Sequence, residues 1–179
     1  KDDNGDFVIS PDIKDFPGRE QIRGIVEREL AQKARRAVSQ AGEITKDIVA
    51  SVTANKGVLS EADNVKLSGV LTTLIDAEQF DEAAKIERTI NATSRASTIF
   101  ESIKFDSLEA VQTALKDARS TENMSTALGS ETYQILSKQI LERNKLIQKD
   151  FVGYYKRENP DEEITPSKLL TLQTEMGIA

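Results

Sequence analysis

The chain has 179 residues, 38% of them hydrophobic and 30% charged, with 24 Lys and Arg against 30 Asp and Glu for a formal charge of -6. Cys, His and Trp are all absent, which excludes thiol nucleophiles, disulfides, thiolate or imidazole metal sites, His general bases and Ser-His-Asp triads. No apolar run approaches the roughly 18 residues a membrane-spanning helix needs, and overall acidity argues against a specific nucleic-acid partner.

Residues 1–18 stand apart. Lys1-Asp2-Asp3-Asn4-Gly5-Asp6 is a charged, turn-rich start, Phe7-Val8-Ile9 is a short apolar patch, and Pro11 and Pro17-Gly18 break regular structure. They read as an extended arm able to dock its apolar side chains on a neighbouring surface. A first residue of Lys1 points to a piece of a longer protein. Residues 19–179 read as one helical domain, and Gly18 to Asn159 contains no proline.

From Arg19 to Lys56 the apolar positions Ile22, Val26, Leu30, Ala34, Val38, Ala41, Ile44, Ile48 and Val52 recur every three or four residues. That is one helix face held for about ten turns. Ala31, Ala34, Ala37 and Ala41 form a small-residue seam that lets a partner helix approach. Gly42 is a possible bend, and Gly57 is placed to take the left-handed position after the last turn. Arg19, Arg23, Arg28, Lys33, Arg35 and Arg36 are interleaved with Glu20, Glu27 and Glu29, which reads as a solvated, salt-bridged face.

Ser60 is an N-cap with Glu61 and Asp63 in the first turn, and Leu59 is a candidate staple; that helix ends near Ala77-Glu78. Phe80-Asp81 opens the next, with Asp81 as cap, which runs to about Lys104 and completes an αα-hairpin. Asp106-Ser107 caps a shorter helix, and Ser120-Thr121-Glu122-Asn123 is a polar loop. A long helix follows from Ser130 to Arg157 and stops at Asn159-Pro160, and Thr165-Pro166 starts a last helix that ends at Gly177. No stretch alternates with period two. The expected fold is all-α: an elongated antiparallel bundle of about six helices, two of them long.

Without His or Cys, catalysis would rest on carboxylates, Lys, Tyr or Ser, and carboxylates are plentiful. Glu61 and Asp63, and Asp81 and Glu82, sit in first turns, where negative charge favours the helix dipole. Asp161, Glu162 and Glu163 fall between helices. Capping and solvation account for these positions, so no catalytic, cofactor-binding or metal-binding residue is assigned and no cofactor is implied. Asp2-Asp3-Asn4-Gly5-Asp6 lacks the spacing of a calcium loop, and no Gly-rich phosphate loop is present. Phe151, Tyr154 and Tyr155 form an aromatic group that reads as a hydrophobic plug between the long helix and the last one.

The hairpin Val70-Leu71-Thr72-Thr73-Leu74-Ile75-Asp76-Ala77-Glu78-Gln79-Phe80-Asp81-Glu82-Ala83-Ala84-Lys85-Ile86 is followed by Lys149-Asp150-Phe151-Val152-Gly153-Tyr154-Tyr155, Asn159-Pro160 and a leucine-rich end at Met176-Gly177-Ile178. Over about half the chain this succession resembles the helical regions of large internal virion proteins of bacteriophages and prophages, the DNA-ejection proteins that often flank a lytic transglycosylase domain. The resemblance implies a structural segment carried in the virion that assists passage of DNA or protein across the cell envelope. Its enzymatic part does not carry over. Phe100-Glu101-Ser102 supplies the Glu-Ser pair of a transglycosylase, but no Gly-[Leu/Val]-Met-Gln follows, and Glu101 reads as a solvated helix residue. Phe80-Asp81-Glu82-Ala83-Ala84 also resembles the opening of a tetratricopeptide-like repeat, which would make the chain a protein-binding scaffold, although no 34-residue repeat recurs. A carboxylate-dependent hydrolase is a third reading and requires a buried acid in a cleft. On the favoured reading the partners are other protein chains, with self-association through the long first helix.

Overall fold

The computed structural model describes residues 18–178 of the chain. These fold into seven helices: α1 (Arg19–Ala54), α2 (Glu61–Asp76), α3 (Phe80–Ile103), α4 (Leu108–Ala118), α5 (Thr121–Met124), α6 (Ala127–Glu158) and α7 (Pro166–Glu175). The structure is 83% helical, with no strand among the described residues. The all-α bundle stands as the sequence implied. The expected arm lies, apart from Gly18, outside the described residues.

Local sequence sets most of the boundaries. Ser60, Ser107, Ser120, Thr126 and Thr165 each accept a hydrogen bond from the backbone N–H three residues on, which satisfies a donor the helix itself cannot pair. Three C-termini close with a left-handed residue and a six-to-one backbone bond. The bonds are Gly57 N–H to Val52 C=O at 2.8 Å, Gln79 N–H to Leu74 C=O at 2.8 Å and Ile178 N–H to Gln173 C=O at 2.9 Å.

Four sequence expectations are corrected. Lys56 (φ 58°), not Gly57, takes the first left-handed position after α1, and Gly57 (φ 90°) follows it. Gln79 precedes α3 with no side-chain cap, so Asp81 lies within the first turn and caps nothing. Residues 121–124 form a single helical turn in place of a loop, because the Ser120 hydroxyl supplies a cap there. The long helix α6 breaks at Asp150 (φ -161°, ψ 87°), whose carboxylate accepts from Gly153 N–H at 2.8 Å and so starts the segment carrying the aromatic group.

Consecutive long helices run antiparallel. Between α1 and α2, the Lys33 ammonium donates to Asp76 C=O at one end and the Ser51 hydroxyl donates to Asp63 at the other. The most extensive packing is nevertheless between parallel helices, α3 on α6. Thr89 donates to Glu131 at 2.6 Å, Gln139 to Ser97 at 3.1 Å and the Arg143 guanidinium to Lys104 C=O at 2.8 Å, all in the same direction along both helices.

The core is three clusters in series along these two helices. The first joins Ala37, Ala41, Ile48 and Val52 of α1 with Val70, Leu74, Ala83, Ile86 and Ile90. The second joins Ala96 and Ile103 with Val111, Leu136 and Ile140. The third joins Ile147, Phe151 and Tyr154 with Met176, and Phe105, Leu169 and Leu172 pack against it. The serial arrangement makes the bundle elongated, and the aromatic group is the plug between α6 and α7 that its spacing implied.

Candidate functional site

The apolar face of α1 is buried over only half its length. Ala37, Ala41, Ile48 and Val52 are enclosed by α2 and α3. The same helix carries Ile22 (48% exposed), Ile25 (54%), Val26 (39%) and Leu30 (42%) before that point. α1 passes the α2–α3 turn beside a notch of about 310 Å³ whose walls include Leu30, Ala31, Ala34, Ala77 and Gln79. Residues 19–29 therefore extend beyond the turn by about 16 Å at the helical rise of 1.5 Å per residue. The alanine seam expected to receive a partner is partly used within the chain, since Ala37 and Ala41 pack on α2. The open face lies N-terminal to it and is built from larger side chains.

Residues 19–36 carry six basic and three acidic side chains, a basic stretch on an otherwise acidic chain. The expected intrahelical pairing is present in Arg23 and Glu27 at 2.9 Å. Covering four half-exposed aliphatic side chains is worth on the order of 1 kcal/mol each. A contact of that size holds a partner weakly unless flanking contacts add to it.

A second concave region of about 410 Å³ lies where the end of α1 meets α3 and α6, with Ser97, Phe100, Glu101, Gln139, Arg143 and Tyr154 among its walls. Two charged residues that the sequence reading did not single out, Arg143 and Lys104, are buried at this junction. Arg143 (4% exposed) donates to Lys104 C=O and Asp106 C=O, both at 2.8 Å, and to Asn144 at 2.9 Å. It thus caps the C-terminal end of α3, and burial pulls its pKa down.

Lys104 (5% exposed) pairs with Glu158 at 2.8 Å and Glu101 at 2.9 Å. Burial alone would lower its pKa, but the hydrogen bonds to these two carboxylates outweigh it and the value is raised. Glu101 is therefore part of an ion-pair network and not a solvated residue. The Tyr154 hydroxyl is buried with no hydrogen-bond partner, and burial, reinforced by Glu158, pushes its pKa up to about 12. Spacing gave no signal for Arg143 or Lys104, because a charged residue on a helix reads the same whichever way it faces.

The acidic residues weighed as catalytic candidates are dispersed. Asp63 is buried and accepts from the hydroxyls of Ser60 at 2.6 Å and Ser51 at 2.7 Å, which hold its carboxyl below the usual range. Glu82 pairs with Lys85 at 3.1 Å in the first turn of α3. Glu162 is bound by Lys168 and by the Tyr155 hydroxyl, and its pKa is lowered, chiefly by Lys168. Glu61, Asp81, Asp161 and Glu163 are exposed. The fold brings none of these pairs together in a cleft. No group of three or more potential metal ligands occurs among the described residues.

No protein-family model, curated protein or solved structure matches the chain.

Proposed function

We propose that the chain is a non-enzymatic structural and interaction segment that offers the first half of α1 to another protein chain, a second copy of itself included. One observation carries this reading. Ile22, Val26 and Leu30 continue the buried face of α1 past the point where α2 and α3 cease to cover it. The finer reading rests on the resemblance of the hairpin and C-terminal region: a piece of a phage or prophage virion protein, residing in the virion and assisting passage of genome or protein across the envelope.

Sedimentation equilibrium of the full chain tests the interaction. Reversible association that weakens in Ile22→Asp/Leu30→Asp supports it, while a concentration-independent monomer with no change in the variant removes self-association. Mass spectrometry of purified virions from the source tests the finer reading, and absence of the parent protein from them ends it.

A further inference from the structure

Two buried polar atoms with no partner in the chain border the cavity of about 410 Å³ between the end of α1, α3 and α6. One is the hydroxyl of Tyr154, a residue 3% exposed. The other is the side-chain carbonyl oxygen of Gln139, whose amide nitrogen already donates to Ser97 at 3.1 Å. The charged groups that act on the Tyr154 hydroxyl, Glu158, Arg143, Arg157 and Glu101, are all walls of this cavity, so the hydroxyl is aimed into it. The break at Asp150 is what brings both stretches of α6 to one cavity. Glu158 pairs with Lys104 at 2.8 Å and Arg143 donates to Lys104 C=O at 2.8 Å, whereas an unbroken helix would hold Glu158 about 22 Å beyond Arg143. Unpaired buried groups cost stability, and native proteins carry few of them.

The walls select the ligand. Lys56, Arg143 and Arg157 are balanced by Glu101, Glu142 and Glu158, with Lys56 on Glu101 and Arg157 on Glu158, each at 3.7 Å. No net charge is left to hold an ion. The Gln139 carbonyl only accepts, while the Tyr154 hydroxyl donates or accepts, and a hydroxyl on the ligand satisfies either. Phe100 and Leu146 add an apolar wall, and the volume falls within the range of about 300–1,000 Å³ usual for small-molecule sites. We infer that this cavity binds a small uncharged sugar, one hydroxyl of which donates to the Gln139 carbonyl oxygen while another pairs with the Tyr154 hydroxyl and a C–H face of the ring rests on Phe100. Thr53, Ala54 and Lys56 are the part of α1 and its end that line the cavity, well past Leu30. The site is therefore distinct from the open half of α1 and does not depend on its reading as a docking surface.

The test is titration of the full chain, labelled with nitrogen-15, with D-glucose, D-galactose and maltose in turn, and with glucose 6-phosphate as the charged comparison. At least one of the three sugars should shift the amide signals of residues 97–101 and 139–146 and of Tyr154 saturably, and glucose 6-phosphate should bind no more tightly than glucose. Tyr154→Phe keeps the ring and should weaken that binding by about 3- to 10-fold, the loss of one hydrogen bond. Gln139→Leu should weaken it to a similar extent. A hydroxyl with a purely structural role would leave the sugar response of Tyr154→Phe unchanged, and that result overturns the inference. So does the absence of a saturable shift with all three sugars, or tighter binding of glucose 6-phosphate than of glucose.

Discussion

At the scale of single residues, the informative groups are the polar ones the fold has buried. The Arg143 guanidinium is the partner of two backbone carbonyls at the end of α3, so its removal leaves both without a donor. Arg143→Met should lower stability by about 3 kcal/mol in urea unfolding, the order expected when a charged donor leaves buried acceptors unpaired. Tyr154 is the opposite case. Its ring fills the third cluster while its hydroxyl has no partner. Tyr154→Phe keeps the packing and deletes an unsatisfied donor, and should raise stability by about 1 kcal/mol in the same measurement.

At the scale of elements, helix ends decide more than helix interiors. A Cβ on Gly57 would sit 2.4 Å from the Thr98 hydroxyl and 2.6 Å from Ser94 C=O, at a φ of 90°. Gly57→Ala should therefore cost at least about 1 kcal/mol in thermal or urea unfolding. Gly42 lies mid-helix, where a Cβ would meet nothing within 4 Å, and Gly42→Ala should stabilise by about 0.5–1 kcal/mol.

The start of α2 carries a pH signature. The Ser60 and Ser51 hydroxyls depress the Asp63 pKa in the folded state. Its contribution to stability is therefore present above the unfolded value near about 3.9 and is lost as pH falls through the lower folded value. Urea unfolding across that acid range should show a stability loss that Asp63→Asn flattens. The break in α6 is set locally by a side-chain cap, because the Asp150 carboxylate accepts from Gly153 N–H and starts a new helical segment.

At the scale of the whole molecule, three clusters in series make a strut with one helix longer than its cover. The open stretch of α1, residues 19–29, carries three basic and three acidic side chains, so two copies meeting there are held by apolar contact and not by net charge. Self-association should change little as salt rises from low to moderate ionic strength, and sedimentation across a salt series checks this.

The sequence by itself determined the helices. Apolar residues at three- and four-residue steps, hydroxyl caps at Ser60, Ser107 and Thr165, and Pro166 at a helix start are local signals that act within one or two turns. Those signals also placed Phe151 and Tyr155 on a shared face. Only the tertiary structure decided which part of a continuous face is covered, that α3 and α6 pack in parallel, and that Arg143 and Lys104 turn inward. The physical reason is range. A turn of helix is settled by neighbours three or four residues away, whereas burial of one residue depends on another 39 positions distant, as with Arg143 and Lys104. A repeat of apolar side chains states that a face wants cover but says nothing of what provides it.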